Sequence, residues 1–444
     1  MDTICAIATP LGTGGVSIIR ISGEQARQVF DSCFVPQSKE KIQPRVLYFG
    51  KIQFEDFCDD ALCVFFKAPN SFTGEDVVEI NLHGGYYLTK EVLERIIAMD
   101  GIRLAEPGEF SKRAVVNGKM DITKAEGIID IINAGSLSEI KASSNQIVGE
   151  LKNRVNEIQN ELKDLICEVD VAIDYPDQDI EYISAQDINK RLSPITQKIE
   201  GLLKTSSTGA QIKNGVNIAL VGIPNAGKSS LLNSLLGYER AIVTEIAGTT
   251  RDTLNESFEF GGIRFNIVDT AGVHNTDDRI EKIGIERSLK SAESADLVLH
   301  LFDLTQPIKN QQIEINNKNI LNIANKNDLI NTKSQNIIND MHFDLTISAK
   351  NKTNINELKQ LIFDRTIDKT ILSQNIIITN VRHVQLLKNA LEELNKVLKT
   401  SKTTTLDCIA LLLKDAWINL GKITGEYTDE AILDRIFEKF CLGK

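Results

Sequence analysis

The feature that most constrains this fold is a glycine-rich segment near the middle of the chain. Residues 222–229 read Gly-Ile-Pro-Asn-Ala-Gly-Lys-Ser, which matches the pattern G-x-x-x-x-G-K-S. An apolar run, 218–221, precedes the segment, and a helix-forming stretch, 230–236, follows it. In this strand–loop–helix context backbone N–H groups surround phosphates, Lys228 adds a positive charge, and the Ser229 hydroxyl reaches Mg²⁺. The segment therefore predicts a site for nucleotide phosphates.

Two later motifs predict which base the nucleotide carries. Residues 325–328 read Asn-Lys-Asn-Asp, and Asp328 can accept hydrogen bonds from both N–H groups on the Watson–Crick edge of guanine. Adenine offers no such pair, so the motif favours GTP over ATP. Residues 348–350, Ser-Ala-Lys, follow at a distance that suits the other side of the base pocket.

The residues between these motifs predict how Mg²⁺ and the attacking water are handled. Residues 269–272, Asp-Thr-Ala-Gly, end a predicted strand, where the carboxylate orients the Mg²⁺ shell and the glycine faces a γ-phosphate. Thr250, within Gly-Thr-Thr-Arg-Asp at 248–252, would reach Mg²⁺ only when the γ-phosphate is present. Val273 stands where Ras-type enzymes carry the glutamine that orients water, so another group must do so. Asn225 could hold a monovalent cation that replaces an arginine finger, or it could be a turn residue.

The order of strand and helix patterns places this site in an α/β domain. Strand patterns at 217–221, 265–268, 297–301 and 320–324 alternate with helical patterns, which is typical of a parallel sheet. We interpret the Asn-rich stretch 310–327 as compositional bias in a surface segment.

The chain before this domain predicts two other kinds of structure. Residues 1–118 carry short strand patterns between Gly and Pro turns, which indicates an α+β domain. From about Asp121 to Val169 apolar residues recur at threes and fours, which predicts one long amphipathic helix. A second helix is predicted over 185–204, and the polar residues 205–209 predict a linker.

The last part of the chain returns to helix. The amphipathic stretches 381–398, 405–420 and 429–440 need a partner for their apolar faces, and the helices upstream of the α/β domain offer one. The α/β domain is then an insertion whose two ends lie close together. The predicted division is an N-terminal domain of 1–118, a helical domain of 119–210 plus 376–444, and an inserted domain of 215–370.

Charge and cysteine content indicate the cellular compartment and the kinds of partner. The chain has 444 residues and a net charge of −11, which argues against a protein that binds nucleic acid over its whole surface. Its seven cysteines are scattered without a Cys-x-x-Cys pair, which favours a reducing compartment. The first twenty residues match neither a signal nor a transit peptide, and no apolar run is long enough for a membrane span. We therefore expect a cytoplasmic protein with no membrane partner.

The ordered motifs resemble, over essentially the whole chain, those of the bacterial tRNA modification GTPase family called MnmE or TrmE. Besides the nucleotide motifs, the resemblance rests on short segments spread along the sequence. These are Ala8-Thr-Pro10, Gly14-Gly-Val16, Arg20-Ile-Ser-Gly23, Ser71-Phe-Thr-Gly-Glu-Asp76, His83-Gly-Gly85, Pro107-Gly-Glu-Phe110, Ile173-Asp-Tyr-Pro176, Gly248-Thr-Thr-Arg-Asp252 and Phe440-Cys-Leu-Gly-Lys444. The last two are highly specific.

The resemblance implies a multidomain fold with an α+β N-terminal folate-binding domain that dimerises, a discontinuous α-helical domain and an inserted α/β P-loop GTPase (Ras-like) domain. It implies a GTPase that acts as a homodimer, together with the FAD-dependent partner protein MnmG and tRNA. The complex would add an aminomethyl or carboxymethylaminomethyl group to C5 of the wobble uridine of certain tRNAs. The carbon would come from 5-formyltetrahydrofolate or a related tetrahydrofolate.

The resemblance also implies ligands for the nucleotide and its cations. Mg²⁺ would contact Ser229 and Thr250. K⁺, held where two GTPase domains meet, would stimulate hydrolysis, and its ligands would be Asn225, Thr244, Ile246 and Thr249. The residues that would bind GTP are Asn225, Ala226, Gly227, Lys228, Ser229, Ser230, Thr244, Glu245, Ile246, Ala247, Gly248, Thr249, Thr250, Asp269, Thr270, Ala271, Gly272, Asn325, Lys326, Asp328, Ser348, Ala349 and Lys350.

Catalytic and folate-binding roles follow from the same resemblance. Glu281 matches the family's water-orienting glutamate, although an acidic residue near a helix start also suits the helix dipole. Cys441 is a candidate nucleophile toward C6 of uridine, or equally a cysteine that packs a helix. A carboxylate and basic groups suit a pterin edge and a glutamate tail. The folate contacts would be Arg20, Glu79, Lys119 and Lys444.

Two other functions stay open at this point. A regulatory GTPase of ribosome assembly, without RNA chemistry of its own, would share the nucleotide motifs. However, no G-x-x-G module of the KH type, second GTPase repeat or basic tail follows residue 370. A folate-binding module that merely carries a GTPase would leave the modified uridine unchanged when its gene is lost.

Overall fold

The computed structural model describes residues 2–175, 183–237, 256–268, 291–330, 341–427, 430–438, 440 and 443. The chain forms two compact units. Unit 1 consists of Met1–Ile129, Gln146–Gln178 and Leu406–Lys444, and unit 2 consists of Asp130–Asn145 and Asp179–Thr405.

The described strands and helices are numbered here in chain order. The strands are β1 (Thr3–Ile7), β2 (Val16–Ser22), β3 (Phe34–Pro36), β4 (Leu47–Gln53), β5 (Cys58–Phe66), β6 (Val77–His83), β7 (Ile102–Leu104), β8 (Val216–Gly222), β9 (Glu256–Phe260), β10 (Ile263–Val268), β11 (Leu297–Asp303), β12 (Ile320–Asn325) and β13 (Leu345–Thr346). The helices are α1 (Ala26–Cys33), α2 (Tyr86–Ile97), α3 (Glu109–Val116), α4 (Ile122–Ile132), α5 (Leu137–Val148), α6 (Glu150–Asp174), α7 (Ala185–Lys204), α8 (Ser206–Asn214), α9 (Lys228–Leu236), α10 (Ile355–Thr366), α11 (Lys369–Leu372), α12 (Val381–Thr400), α13 (Leu406–Thr424) and α14 (Glu430–Phe437).

A mixed sheet is the framework of unit 1. Its strands lie in the order β3-β4-β5-β6-β2-β1-β7, and every neighbouring pair is antiparallel except β1 with β7. Side chains alternate between the two faces, so that on β4 Tyr48 and Ile52 are buried whereas Leu47 and Phe49 are exposed. Helices α1 and α2 pack on the apolar face and complete its core, to which α1 contributes Phe30. The α+β character predicted for the first part of the chain is confirmed.

A parallel sheet is the framework of unit 2. Its strands lie in the order β13-β12-β11-β8-β10-β9, and only β9 runs antiparallel to its neighbour. Every residue of β11 is buried, as expected for a central parallel strand. Because β8, β11 and β12 are parallel, their last residues, Gly222, Asp303 and Asn325, lie at one edge of the sheet. Ligands of such sheets bind at this carboxyl edge. The predicted α/β domain is confirmed.

Each unit also contains a pair of long helices packed side by side. In unit 1 α13 lies along α6, and in unit 2 α12 lies along α7. In the first pair, Leu162 and Val169 of α6 and Leu413 and Leu420 of α13 recur at a spacing of seven and have no exposed surface. Both pairs join a helix that precedes the parallel sheet in the chain to one that follows it. Among the described helices, none is both long and apolar enough to cross a membrane.

The prediction of one long helix from about Asp121 is wrong, because this stretch forms α4, α5 and α6. The Glu139 carboxylate accepts a hydrogen bond from the Gly135 N–H (2.9 Å), and Ser136 Oγ accepts one from the Glu139 N–H (3.3 Å), so a new helix begins there. The second break lies at Gly149, whose φ of +99° is the left-handed conformation that glycine adopts without strain. Apolar periodicity alone continued across both breaks.

The second helix is confirmed, but the linker predicted after it is wrong. Helix α7 begins at a capping box in which Ser184 Oγ accepts from the Asp187 N–H (3.1 Å). The polar residues that follow belong to α8. Thr205 is 1% exposed, donates its hydroxyl to Leu202 O (2.7 Å) and accepts from the Ile378 N–H (3.0 Å). Hydroxyl groups satisfied in this way can be buried, which composition does not reveal.

The six cysteines that the structure describes are free thiols and all belong to unit 1. Cys5, Cys33 and Cys63 are buried in the core of its sheet, and burial raises the pKa of each thiol. The exposed cysteines are Cys58, Cys167 and Cys408.

A buried ionic cluster joins three segments of unit 1. Arg113 of α3 is 6% exposed and donates to Asp2 Oδ1 (2.7 Å), Glu75 Oε1 (3.1 Å) and Glu109 Oε1 (2.9 Å). Arg103 also donates to Glu109 (2.6 Å). Burial alone would raise the pKa of Glu109, but the hydrogen bonds from the two arginines hold it below its usual value. One guanidinium therefore balances carboxylates from distant parts of the chain.

Removal of this guanidinium should destabilise unit 1. In Arg113→Met the largely buried Glu75 carboxylate loses its cation and the Glu109 carboxylate keeps only Arg103, which lowers the free energy of unfolding by about 3–5 kcal/mol. The single tryptophan, Trp417, lies in unit 1, so its fluorescence in urea follows this unfolding. Lys90→Met is the control, because Lys90 pairs with Glu94 across 3.5 Å at an exposed surface, where a pair contributes about 0–1 kcal/mol. Equal urea midpoints for the two variants would contradict this expectation.

Candidate functional site

The glycine-rich loop lies between β8 and α9 at the carboxyl edge of the parallel sheet. Gly227 caps α9 with a φ of +96°, and a Cβ at this position would lie 2.3 Å from Asn325 Nδ2. Only glycine fits there. Asn225 has a φ of +62° and is exposed at the surface of the loop. The sequence therefore folds into the strand–loop–helix geometry that presents backbone N–H groups to an anion.

Lys228 and Ser229 open α9. The Lys228 ammonium donates to Gly222 O (2.8 Å) and Ile223 O (3.0 Å), which holds it across the loop. A cation next to a helix N-terminus creates a positive potential suited to phosphate groups. The Ser229 side chain is exposed. Among the described residues, no group of three or more His, Cys, Asp or Glu side chains is arranged to hold a metal ion. A divalent ion at this loop fits a hydroxyl ligand and nucleotide phosphates.

Asn325 joins the glycine-rich phosphate loop, residues 222–229, to the loop that contains residues 348–350. It is 2% exposed, donates from Nδ2 to Ala226 O (2.8 Å) and accepts at Oδ1 from the Ala349 N–H (3.0 Å). A further hydrogen bond links α9 to the second of these loops, since the Ser234 hydroxyl donates to Ala349 O (2.6 Å). The phosphate loop and residues 348–350 are therefore held in one arrangement by buried hydrogen bonds.

The predicted base-recognition residues lie together. Asp328 is exposed, and its Oδ1 accepts a hydrogen bond from Ser348 Oγ (2.6 Å). Ser348 and Ala349 are buried, whereas Lys350 is exposed. The hydroxyl fixes one oxygen of the carboxylate, and the exposed carboxylate can accept from a ligand. Two neighbouring N–H donors on a planar base match this acceptor.

Sequence reasoning missed Asp303, the last residue of β11. Its side chain has no exposed surface, and its Oδ2 lies 2.7 Å from the Lys326 ammonium. Burial opposes ionisation, but Lys326 and Thr305 donate to the carboxylate and hold its pKa below the usual value. The available signal was an aspartate that ends an otherwise apolar strand, since aspartate is almost never fully buried without a partner.

Several predicted nucleotide-binding, catalytic and folate-binding residues are not among those that the structure describes. Thr244, Glu245, Ile246, Ala247, Gly248, Thr249, Thr250, Asp269, Thr270, Ala271, Gly272, Glu281, Cys441 and Lys444 lie outside the described residues. One described range ends at Val268, the last residue of β10. Residues 269–272 come directly after this strand in the sequence.

The structure brings together two of the predicted folate contacts. On neighbouring strands, Arg20 Nε donates to Glu79 Oε1 (2.8 Å). The same guanidinium contacts Gly443 O (3.3 Å) and lies over the ring of Phe72, with 5.3 Å to its centroid. Gly443 is buried and precedes Lys444 in the chain. The Glu79 carboxylate, the Arg20 guanidinium and the Phe72 ring therefore lie close together near Gly443.

Lys119 lies in a different setting. Its ammonium donates to Pro69 O (2.8 Å), and it borders a cavity of about 520 Å³. Neither Arg20 nor Glu79 lines this cavity. Its lining residues are Gly23, Glu24, Ala68, Pro69, Gly74, Glu75, Asp76, Asn117 and Lys119.

Two family models match consecutive parts of the chain. A family model described as "MnmE helical domain" matches residues 122–441, and one described as "GTP-binding protein TrmE N-terminus" matches residues 3–119. The tRNA modification GTPase MnmE of Clostridioides difficile is 40% identical over 100% of this chain and 99% of its own length. That of Lactobacillus gasseri is 39% identical over 100% and 98%. The solved FeoB G-domain of Methanococcus jannaschii is 28% identical over 34% of this chain and 98% of its own, with a TM-score of 0.23.

Loss of the Asn325 amide should weaken nucleotide binding. Asn325→Ala leaves a buried carbonyl and a buried N–H without partners, each costing about 1–3 kcal/mol, so GDP should bind at least about tenfold more weakly. Isothermal titration calorimetry with GDP measures the effect. Asn322→Ala on the same strand is the control and should bind as the unaltered chain does. GDP affinity that survives Asn325→Ala would contradict the linking role.

Proposed function

Because this chain is a GTPase that belongs to the MnmE family of tRNA modification enzymes, we propose that it acts in a complex that modifies the wobble uridine of certain tRNAs. In this proposal the complex adds an aminomethyl or carboxymethylaminomethyl group at C5, with a carbon from 5-formyltetrahydrofolate or a related tetrahydrofolate. The chain works as a homodimer with the FAD-dependent protein MnmG, in the cytoplasm where its tRNA substrates are found.

The buried Asn325 amide is the observation that carries the nucleotide part of the proposal. It joins the phosphate loop at Ala226 to the Ser348–Ala349 backbone, while Asp328 stands exposed beside Ser348. A guanine base between these loops would give both of its Watson–Crick N–H groups to Asp328. Its phosphates would take the backbone N–H groups of the loop and the ammonium of Lys228. This geometry supports GTP as the nucleotide bound.

We assign hydrolysis to electrostatic stabilisation rather than to a covalent step. Phosphoryl transfer needs positive charge near the phosphate oxygens and an oriented water. Lys228 and the α9 N-terminus supply part of the charge, Ser229 and Thr250 would hold Mg²⁺, and Glu281 would orient the water. A K⁺ ion supplies further positive charge when it is bound. The residues that would hold K⁺ are Asn225, Thr244, Ile246 and Thr249, of which the structure describes the exposed Asn225.

In the same proposal the domains are 1–118, 119–210 plus 376–444, and 215–370, with the GTPase domain inserted in the helical one. The side-by-side packing of α12 on α7 and of α13 on α6 supports a helical domain built from both sides of the insertion. Inserted domains need chain ends that lie close together, and paired helices supply them.

An exposed apolar patch on unit 1 supports the homodimer. Val35, Leu47, Phe49 and Leu62 are 54%, 53%, 50% and 38% exposed. Phe49 and Leu62 face each other across β4 and β5, so their side chains share one face of the sheet. A cluster of large apolar side chains at a surface marks an interaction site. A second copy of this chain is the partner proposed here.

The folate part of the proposal centres on Arg20 and Glu79. The Glu79 carboxylate can accept from the amino-pyrimidine edge of a pterin, and the Arg20 guanidinium can bind the carboxylates of a glutamate tail. The Arg20–Gly443 contact brings the last described residue of the chain to this pair. Lys119 and Lys444 would complete the site, and Cys441 is a candidate nucleophile toward uridine.

Hydrolysis should depend on K⁺. GTP turnover in K⁺ should exceed turnover in Na⁺ at equal ionic strength by at least about tenfold, since a well-placed cation supplies charge that an arginine finger gives elsewhere. Asn225→Gly keeps the left-handed loop but removes the amide, so the K⁺ advantage should disappear while GDP affinity stays. Asn351→Ala, at an exposed turn, is the control. Equal rates in both salts for the unaltered chain would leave a GTPase but refute the K⁺ mechanism.

Deletion of the gene should remove the modified wobble uridine. Mass spectrometry of nucleosides from total tRNA measures it, and the unaltered gene should restore it. A gene encoding Arg20→Met should fail to restore it although the purified variant still hydrolyses GTP, because Arg20 belongs to the proposed folate site and not to the nucleotide site. Lys90→Met is the matched control and should restore the nucleoside. If the deletion leaves this nucleoside unchanged while ribosomal subunits accumulate unassembled, the ribosome-assembly function replaces this proposal.

A further inference from the structure

A buried carboxylate lies one strand away from the base-recognition loop. Asp303 ends β11, and its register partner on β12 is Asn325, the residue before Lys326. The Asp303 side chain is fully buried, the Lys326 side chain is 28% exposed, and the two charged groups lie 2.7 Å apart. A fully buried charge is retained in a fold only when a partner compensates its lost hydration.

Asp303 is itself held on all sides. Gln311 is 1% exposed, accepts at Oε1 from the Asp303 N–H (2.7 Å) and donates from Nε2 to Asp303 O (2.8 Å). Thr305 donates both its N–H (2.9 Å) and its hydroxyl (2.6 Å) to Oδ1. The other oxygen, Oδ2, accepts from the Lys326 ammonium (2.7 Å) and from Gln306 Nε2 (3.5 Å). The carboxylate is therefore fixed in one orientation before any ligand binds.

Lys326 is fixed at both ends. Its backbone has a φ of +66°, the left-handed conformation that lysine rarely adopts. Its ammonium is anchored on Asp303. In the chain Lys326 lies between Asn325, which contacts the phosphate loop, and Asp328, whose carboxylate is exposed, and its stem runs to Asp303. A free lysine side chain has many rotamers, and an anchored one has lost most of them already.

We propose that Asp303 is a positioning residue for guanine nucleotides, which acts by holding the Lys326 stem as a preformed wall of the base pocket. The inference rests on the proposed use of residues 325–328 for guanine. Without Asp303 the ammonium is released, the stem becomes mobile, and nucleotide binding must order it again. Because a base pocket binds the guanine that GDP and GTP share, both nucleotides should weaken by the same factor.

A double-mutant cycle on nucleotide affinity tests this. The fluorescent analogues N-methylanthraniloyl-GDP and N-methylanthraniloyl-GTP are titrated into the nucleotide-free full chain and into Asp303→Asn, Lys326→Met and the double variant. Asp303→Asn should weaken both analogues about tenfold, and the double variant should bind like Lys326→Met within about twofold, since Asp303 acts only through Lys326. In Asp303→Asn the KM for GTP should rise about as much as the affinity for the analogues falls, whereas kcat should stay within about twofold of the unaltered chain.

Two further variants guard against loss of folding. Thr305→Val removes one hydrogen bond to Asp303 but keeps the ion pair, so it should weaken binding by a few-fold, and only when Lys326 is present. Glu314→Gln removes an exposed charge from the same region and should change nothing. Melting temperatures without nucleotide show which variants are folded.

The possible outcomes distinguish the positioning role of Asp303 from the proposed nucleotide site itself. Additive losses in the double variant, or unchanged affinity in a folded Asp303→Asn, would overturn the positioning role. A loss confined to the GTP analogue would do so as well, since it would mean that the released ammonium acts on the γ-phosphate. Failure of the unaltered chain to bind either analogue would instead refute the proposed nucleotide site itself.

Discussion

Two hydrogen bonds of one buried side chain hold the nucleotide site together. The Asn325 amide binds the carbonyl of Ala226 in the phosphate loop and the N–H of Ala349 in the loop that contains residues 348–350. These loops come from segments more than a hundred residues apart, and neither has regular structure of its own. Because an amide offers a donor and an acceptor in fixed geometry, one residue satisfies both buried groups. The close approach of Gly227 to the same amide explains why that loop position needs glycine.

Much of the fold follows from patterns that the sequence displays openly. The parallel sheet, helix α7 and the helices after residue 376 are all predicted near their observed bounds, because buried parallel strands read as short apolar runs and amphipathic helices repeat about every 3.6 residues. The breaks before α5 and at Gly149 were missed, since a side-chain period carries no information on backbone direction. The linker predicted at 205–209 was wrong for a related reason, because Thr205 satisfies its hydroxyl through a residue far along the chain.

In the candidate site, too, the sequence reveals some of the important residues and not others. Asn325, Asp328 and Ser348 could be named from the sequence, and the structure brings them together through direct contacts. Asp303 carries only the weak signal of an aspartate that ends an apolar strand, and Gln311 carries none, because their importance comes from register between β11 and β12 and from burial. Gln311 even lies in an Asn-rich stretch that composition alone assigned to the surface, yet it is 1% exposed. Lys119 and Arg20 were predicted as one folate set, and whether they share a ligand stays a prediction.

The distribution of cysteines has a practical consequence. All seven fall in the sequence ranges of unit 1, and the ranges that form unit 2 contain none. Thiol-directed probes, spin labels and oxidants therefore act on unit 1 alone, with Cys58, Cys167 and Cys408 as its accessible targets among the described residues. A single cysteine introduced on a surface of unit 2 would then be distinguishable once these three and Cys441 are replaced. The chain is thereby suited to distance measurements in which the nucleotide-binding unit carries one label of its own.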